Sequence, residues 1–170
     1  MNDIKLTHLD SAGKVWMVDV TEKQPTVRAA RAQAKVLCSE TVLEALRNGS
    51  VPKGDVLAVA RIAGISAAKK VPDLLPLAHT IGVHGAEVDV TLHSDHVLIT
   101  TCVRNADRTG VEMEALTAAT IAALAVIDMV KGVDRSAVIS ECVITHKSGG
   151  RSGDWVRPGY ESAAPGSQAD

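Results

Sequence analysis

The chain contains no phenylalanine, and only Trp16, Trp155 and Tyr160 are aromatic among its 170 residues. Its core must therefore be assembled from Val, Leu, Ile and many Ala. Such side chains let backbones approach closely, but each buries little apolar area. Hydrophobic residues make up 46% and charged residues 22%, a balance that folds as a globular body and not as a disordered chain. The length suits one domain. With so thin a core, further burial between subunits is expected.

A formal net charge of -2 excludes a generally basic nucleic-acid binder. The scarcity of aromatics also removes the stacking platforms of single-strand binders. Cys38, Cys102 and Cys142 are odd in number and widely spaced, with no CxxC pair, which fits neither a disulfide framework nor a zinc ribbon. The opening MNDIKLTHLD has no apolar signal core. The longest apolar stretch, residues 121–127, is too short to span a bilayer. A reduced, soluble, cytoplasmic protein with no membrane partner is expected.

Residues 1–13 read as a loose arm, and residues 15–20 as a short strand or edge segment. Ala30, Ala32, Ala34 and Val36 alternate with Arg31, Gln33 and Lys35, which is strand period two even though alanine favours helix. Ser39 caps a short helix with Glu40 in its first turn, Arg47 in its last and Gly49 beyond it. Asp55 caps a second helix through Lys70, with Ala60, Ala63, Gly64 and Ala67 as a small-residue face and Pro72 as its stop. Residues 88–92 and 97–103 form a hairpin about Ser94 and Asp95. Thr109 and Glu112 suggest a capping box for a long helix. Leu116, Ile121, Leu124, Ile127 and Val130 would supply its apolar surface, with Gly132 at C′. Residues 137–146 read as a last strand. The order predicts an α+β, ferredoxin-like βαββαβ antiparallel sheet with an extra helix and with helices on one face. Residues 1–153 would be the single domain and 154–170 a flexible tail.

Asp128 breaks a structural rule, because an acid near a helix carboxyl end opposes the dipole. Lys131, one turn on, can compensate it, either as a local ion pair or as an acid–base pair of a site. Met113, Thr117, Thr120, Leu124, Asp128 and Lys131 share one helical stripe. Its ends are about 22 Å apart, so one compact ligand touching both needs two subunits; a plain core face is the alternative. Glu112 has a structural role if the capping box forms, and Glu114 suits any first helical turn. Lys53 and Arg28 read singly as solvated loop and strand residues. The run from Lys147 to Gly153, KSGGRSG, can converge backbone N–H groups on an anion between two cations, or can simply lead into the tail. The six histidines match no recurrent metal-site spacing, so no metal is expected.

Six segments then appear in order: Met17-Val18-Asp19-Val20, Lys53-Gly54-Asp55-Val56, ARIAGI at 60–65, Leu77-Ala78-His79, TGVEMEALTA at 109–118 and Lys147-Ser148-Gly149-Gly150. Over roughly residues 5–154 the chain resembles the cyclic pyranopterin monophosphate synthase family of molybdenum cofactor biosynthesis. The resemblance implies a phosphorus–oxygen lyase. Its substrate would be 3′,8-cyclo-7,8-dihydroguanosine 5′-triphosphate, made from GTP by a radical cyclase, and its products cyclic pyranopterin monophosphate and pyrophosphate. It implies a homohexamer, a trimer of dimers, with sites at subunit interfaces. No resident cofactor is implied, and magnesium stays open. Carried over residue by residue, Asp128, Lys131 and Lys53 match the catalytic positions. Leu77, Ala78, His79, Met113, Glu114, Glu112, Arg28 and Lys147 match substrate-binding positions. Ala78 stands where relatives commonly have Cys, Thr80 where they have Pro, and Arg151 where Lys is frequent. A non-catalytic nucleotide-binding or scaffold protein on the same fold is the competing expectation.

Overall fold

The alternation about Ala30 is a strand, and it lies in the interior of the sheet. In the computed structural model, which describes Leu9 and residues 12–161, β1 spans Thr26–Leu37. Ala30, Ala32, Ala34 and Val36 point into the core, while Arg31, Gln33 and Lys35 lie half-buried on the other face. Tertiary packing overrides the helical preference of alanine here. Three helices follow, α1 (Glu40–Arg47), α2 (Val56–Ala68) and the short α3 (Val71–Leu74). A hairpin of β2 (Gly85–Leu92) and β3 (His96–Asp107) comes next, then α4 (Glu112–Val130), β4 (Val138–Ser148) and β5 (Trp155–Val156).

The five strands run in the order β2-β3-β1-β4-β5, and every pairing is antiparallel. This is the expected α+β, ferredoxin-like arrangement. On the covered face, α4 packs across β1, β3 and β4, and α2 packs on β2 and α4. The alanines let these layers close. Ala60, Gly64, Ala67 and Ala68 of α2 and Ala115, Ala118, Ala119, Ala122 and Ala123 of α4 are buried. A Cβ on Gly64 would stand 3.0 Å from the Ala118 carbonyl oxygen, so the helices meet at backbone distance. By length and composition α4 could cross a bilayer, but half of its apolar window is buried within the protein.

The start signals of α1 and α2 hold: Ser39 accepts from the Val42 N–H, and Asp55 from the Ala58 N–H. Several expectations do not. Residues 16–20 form no strand; only Val15 makes an isolated bridge, to Leu9. The second helix ends at Ala68, and Pro72 opens α3 in place of stopping α2, since proline is tolerated in a first turn. No capping box starts α4: its N-cap is Val111, with no side-chain cap. The Thr109 carbonyl is taken by the Asn105 amide, and the Glu112 carboxylate lies back over Gly110. Gly132 has no positive φ, because Lys131 ends the helix in a right-handed conformation. Among the apolar residues assigned to this helix only Val130 is fully buried, and alanines make the core face.

The sheet continues past residue 153. Trp155 and Val156 pair with Lys147 and His146, Arg157 Nε donates to the Ile144 carbonyl at 2.6 Å, and Tyr160 donates to Glu141 at 2.7 Å. The rest of the expected tail, and most of the expected arm, lie outside the described residues.

Candidate active site

At the carboxyl end of α4, Asp128 is bracketed by two ammonium groups. Lys131 reaches Oδ1 at 2.6 Å from one turn away, and Lys53 reaches Oδ2 at 2.8 Å from the turn before α2. Lys53 Nζ also donates to the Asp128 main-chain oxygen at 2.8 Å, which satisfies a carbonyl that the last helical turn leaves without a partner. Both cations thus answer the dipole penalty of an acid at this position. The hydrogen bond from Lys131 and then that from Lys53 hold the Asp128 carboxyl down at about 2. All three side chains are about half exposed, and the cluster keeps a positive charge in excess.

The amino end of α4 borders a cavity of about 520 Å³. Leu77, Ala78 and His79 line it from the loop before β2, and Glu112, Met113 and Glu114 from the first turn of the helix. His79 Nε2 stands 2.7 Å from the Val18 carbonyl oxygen. A carbonyl can only accept, so Nε2 carries the proton and Nδ1 is the nitrogen left for other chemistry. Glu114 is buried at 3% exposure. Burial pushes its carboxyl above the ordinary glutamate value, and the nearby Glu112 adds to this. With no capping box, Glu112 loses its structural role and stands on the cavity wall.

A second cavity, of about 390 Å³, adjoins the first, and Lys23 and Arg151 line both. Arg28 lines the second; its Nε donates to the Asp107 carbonyl at 3.1 Å and its Nη2 to the Arg108 carbonyl at 3.2 Å. The glycine loop packs against it: Gly149 and Gly150 have φ of 81° and 73°, and a Cβ on Gly150 would collide with the Arg28 guanidinium. The two cavities form one groove, with carboxyls and His79 toward one end and three cations toward the other.

Lys147 stands one hydrogen bond behind the groove wall. Its Nζ donates to Ser152 Oγ, a lining residue of the second cavity, and so braces the glycine loop at the groove's edge; Lys147 also borders a hollow beside Trp155. The chain also keeps its two clusters apart. Asp128 comes fifteen helical steps after Met113 in α4, about 22 Å at the helical rise. The stripe joining them is the outward flank of the helix, with Met113 and Leu124 exposed, and not a core face. Lys23 is the charged groove residue that sequence reasoning missed, along with the uncharged Gln24, Thr26 and Ile81. It sits in the patternless stretch TEKQP, and only the fold brings it beside Arg28. Arg151 had a signal, as a cation flanking the glycines.

Among the described residues no group of three His, Cys, Asp or Glu side chains could hold a metal ion. His93 and His96 stack on each other at 4.5 Å, and His84 Nδ1 accepts from the Ala106 N–H.

Fold and groove together define a ferredoxin-like α+β protein with cations and carboxyls clustered along one groove. The chain belongs to the MoaC family, whose model matches residues 17–150. It is 56% identical over 153 residues to the cyclic pyranopterin monophosphate synthase of Streptomyces coelicolor, covering 90% of each chain. It is 52% identical over 157 residues to the protein of that name from Nocardioides sp., covering 91% of this chain and 96% of the relative. Cyclic pyranopterin monophosphate synthase 2 of Mycobacterium tuberculosis is 48% identical over 153 residues, covering 90% of this chain and 92% of the relative.

Proposed function

We propose that this chain converts 3′,8-cyclo-7,8-dihydroguanosine 5′-triphosphate to cyclic pyranopterin monophosphate, releasing pyrophosphate, as a lyase of molybdenum cofactor biosynthesis. The substrate comes from a radical cyclase acting on GTP, and the work is cytoplasmic. The observation that carries this reading is the acid bracketed by two lysines, Lys53–Asp128–Lys131, in a chain that also builds a cation-lined groove. A scaffold needs no such arrangement, and the non-catalytic alternative is not favoured.

The chemistry suits these groups. A triphosphate is strongly anionic, and Arg28 and Arg151 offer donors at one end of the groove. Opening and reclosing the purine needs proton transfers. Asp128 stays ionised and fixes both ammonium groups, so either lysine can hand over a proton and, once neutral, take one back. Closing the cyclic phosphate forms a bond from a sugar hydroxyl oxygen to the α-phosphorus. The bridging bond from that phosphorus to the β-phosphate breaks, and pyrophosphate leaves with the electron pair. The hydroxyl proton passes to the lysine that is neutral at that moment. Leu77, Ala78 and Met113 supply the apolar wall for the ring system, while His79, Glu112 and Glu114 reach its polar edge.

The two clusters stand at opposite ends of α4, so a complete site takes the groove of one copy and the lysine–aspartate cluster of another. A homohexamer built as a trimer of dimers, with sites between subunits, meets that need. Lys147, whose Nζ donates to Ser152 at the cation end of the groove, is a further substrate-binding residue.

Supplying purified protein with the cyclised triphosphate and measuring pyrophosphate and pterin tests the reading. The wild type should turn over. Asp128→Ala and Lys131→Ala should each lose on the order of 100-fold or more, the usual worth of positioned acid–base groups. Failure of the wild type, or undiminished rates in both variants, would overturn the assignment.

A further inference from the structure

Residues 18–24 cross the rim of the groove without joining the sheet, and two bonds from the site hold them there. His79 Nε2 donates to the Val18 carbonyl at 2.7 Å, and Arg108 Nε donates to the Lys23 carbonyl at 2.9 Å. Between these anchors the strap folds on itself: the Lys23 N–H meets the Val20 carbonyl at 3.0 Å, and Asp19 accepts from the Thr21 N–H at 2.8 Å. Arg108 belongs to the corner that ends β3, and the same corner holds the other arms of the groove. Its two carbonyls fix the Arg28 guanidinium, and Asp107 Oδ2 accepts from the Gly82 N–H at 3.4 Å, three residues after His79.

The Nε–H of Arg108 is thus engaged by a main-chain carbonyl, whereas Lys23 borders both cavities, beside Arg28 and Arg151. A lysine on an untethered coil segment would lose much conformational freedom on meeting an anion. A charge-assisted bond to its own carbonyl removes part of that loss beforehand.

We propose that Lys23 is a further binding residue for the polyphosphate end of the ligand, and that Arg108 is the residue positioning it. The anion's identity rests on the function proposed above; the site itself does not. Two measurements separate them: steady-state kinetics with the cyclised triphosphate, and calorimetric binding of inorganic pyrophosphate to the resting protein.

Lys23→Ala should raise both KM and the pyrophosphate Kd about tenfold, the effect of losing one charged hydrogen-bonding group, while kcat changes less than about twofold. Arg108→Ala should move the same quantities in the same direction by about threefold to tenfold, and Arg108→Lys, which keeps a cationic donor, should recover part of the loss. The double variant should bind no more weakly than Lys23→Ala alone, because Arg108 acts through Lys23. Losses that multiply in the double variant would overturn the positioning role. Unchanged pyrophosphate affinity in Lys23→Ala, or a wild type that binds no pyrophosphate, would overturn the site. Lysine-dependent pyrophosphate binding without turnover of the triphosphate would uphold the site and sink the proposed reaction.

Discussion

Asp128 and Glu114 are carboxyls moved in opposite directions, and the movements make opposite predictions. Asp128 is held at about 2, below the 3.8 of a free aspartate, by the two lysines. A depressed value means that the folded state favours the charged form. Its stabilising contribution is therefore complete above about pH 4 and fades as pH falls toward 2. Asp128→Asn should melt below the wild type at pH 7, and the difference should close near pH 2. The cluster is exposed, so the gap should be small and should shrink in high salt. Glu114 is raised above 4.5 by burial, so folding favours its neutral form. The wild type then loses stability as pH climbs from about 4.5 toward the folded-state value. Glu114→Gln should match the wild type below that window and melt higher above it. A thermal melt series from pH 2 to 8 reads both variants, and parallel curves for either would contradict the assigned cause.

Helix packing is where glycine position decides sign. A Cβ added to Gly64 would stand 3.0 Å from the Ala118 carbonyl oxygen and 3.1 Å from a Val88 methyl, in a seam closed by alanines. Gly64→Val should cost about 1–3 kcal/mol through overpacking. Gly132 has open space around it and no positive φ, so Gly132→Ala should gain about 0.4–1 kcal/mol by restricting the unfolded chain. Denaturant midpoints of the two variants check both. Much of this layer was legible from local pattern: the caps at Ser39 and Asp55, the small-residue face of α2, the hairpin, and the strand period that won over alanine's helical preference. Where the reading failed, long-range contacts outvoted local signals. Thr109 and Glu112 have capping-box spacing, but the helix takes Val111 as its N-cap, two residues past Thr109, and Glu112 turns to the cavity. Val15 to Val20 look like a strand, but His79 takes the Val18 carbonyl. The site was legible in the same degree. Asp128 and Lys131 announced themselves by an acid in the wrong place on a helix. Lys53 joins them, and Lys23 joins Arg28, through contacts across the fold that no spacing encodes.

At the scale of the whole molecule, one chain holds two polar clusters at opposite ends of α4, proposed above as two halves of a reaction centre. The lysine–aspartate cluster is exposed at one end, the groove opens at the other, and the outward flank between them carries Met113 and Leu124 uncovered. If each site draws one half from each of two copies, damage to different halves need not be additive. Asp128→Ala removes the acid but leaves the groove; His79→Ala alters the groove but leaves the acid. Each variant alone should be inactive as a homomer. Mixed, unfolded together and refolded, they should recover roughly a quarter of wild-type activity under random assembly, since one pairing in four joins two intact halves across a symmetric interface. The active fraction must come from mixed oligomers, which two different affinity tags can isolate before assay. Recovery of no activity from tagged, mixed assemblies would mean that each chain works alone, and a separation of about 22 Å within the subunit would then have to be closed by movement of the chain.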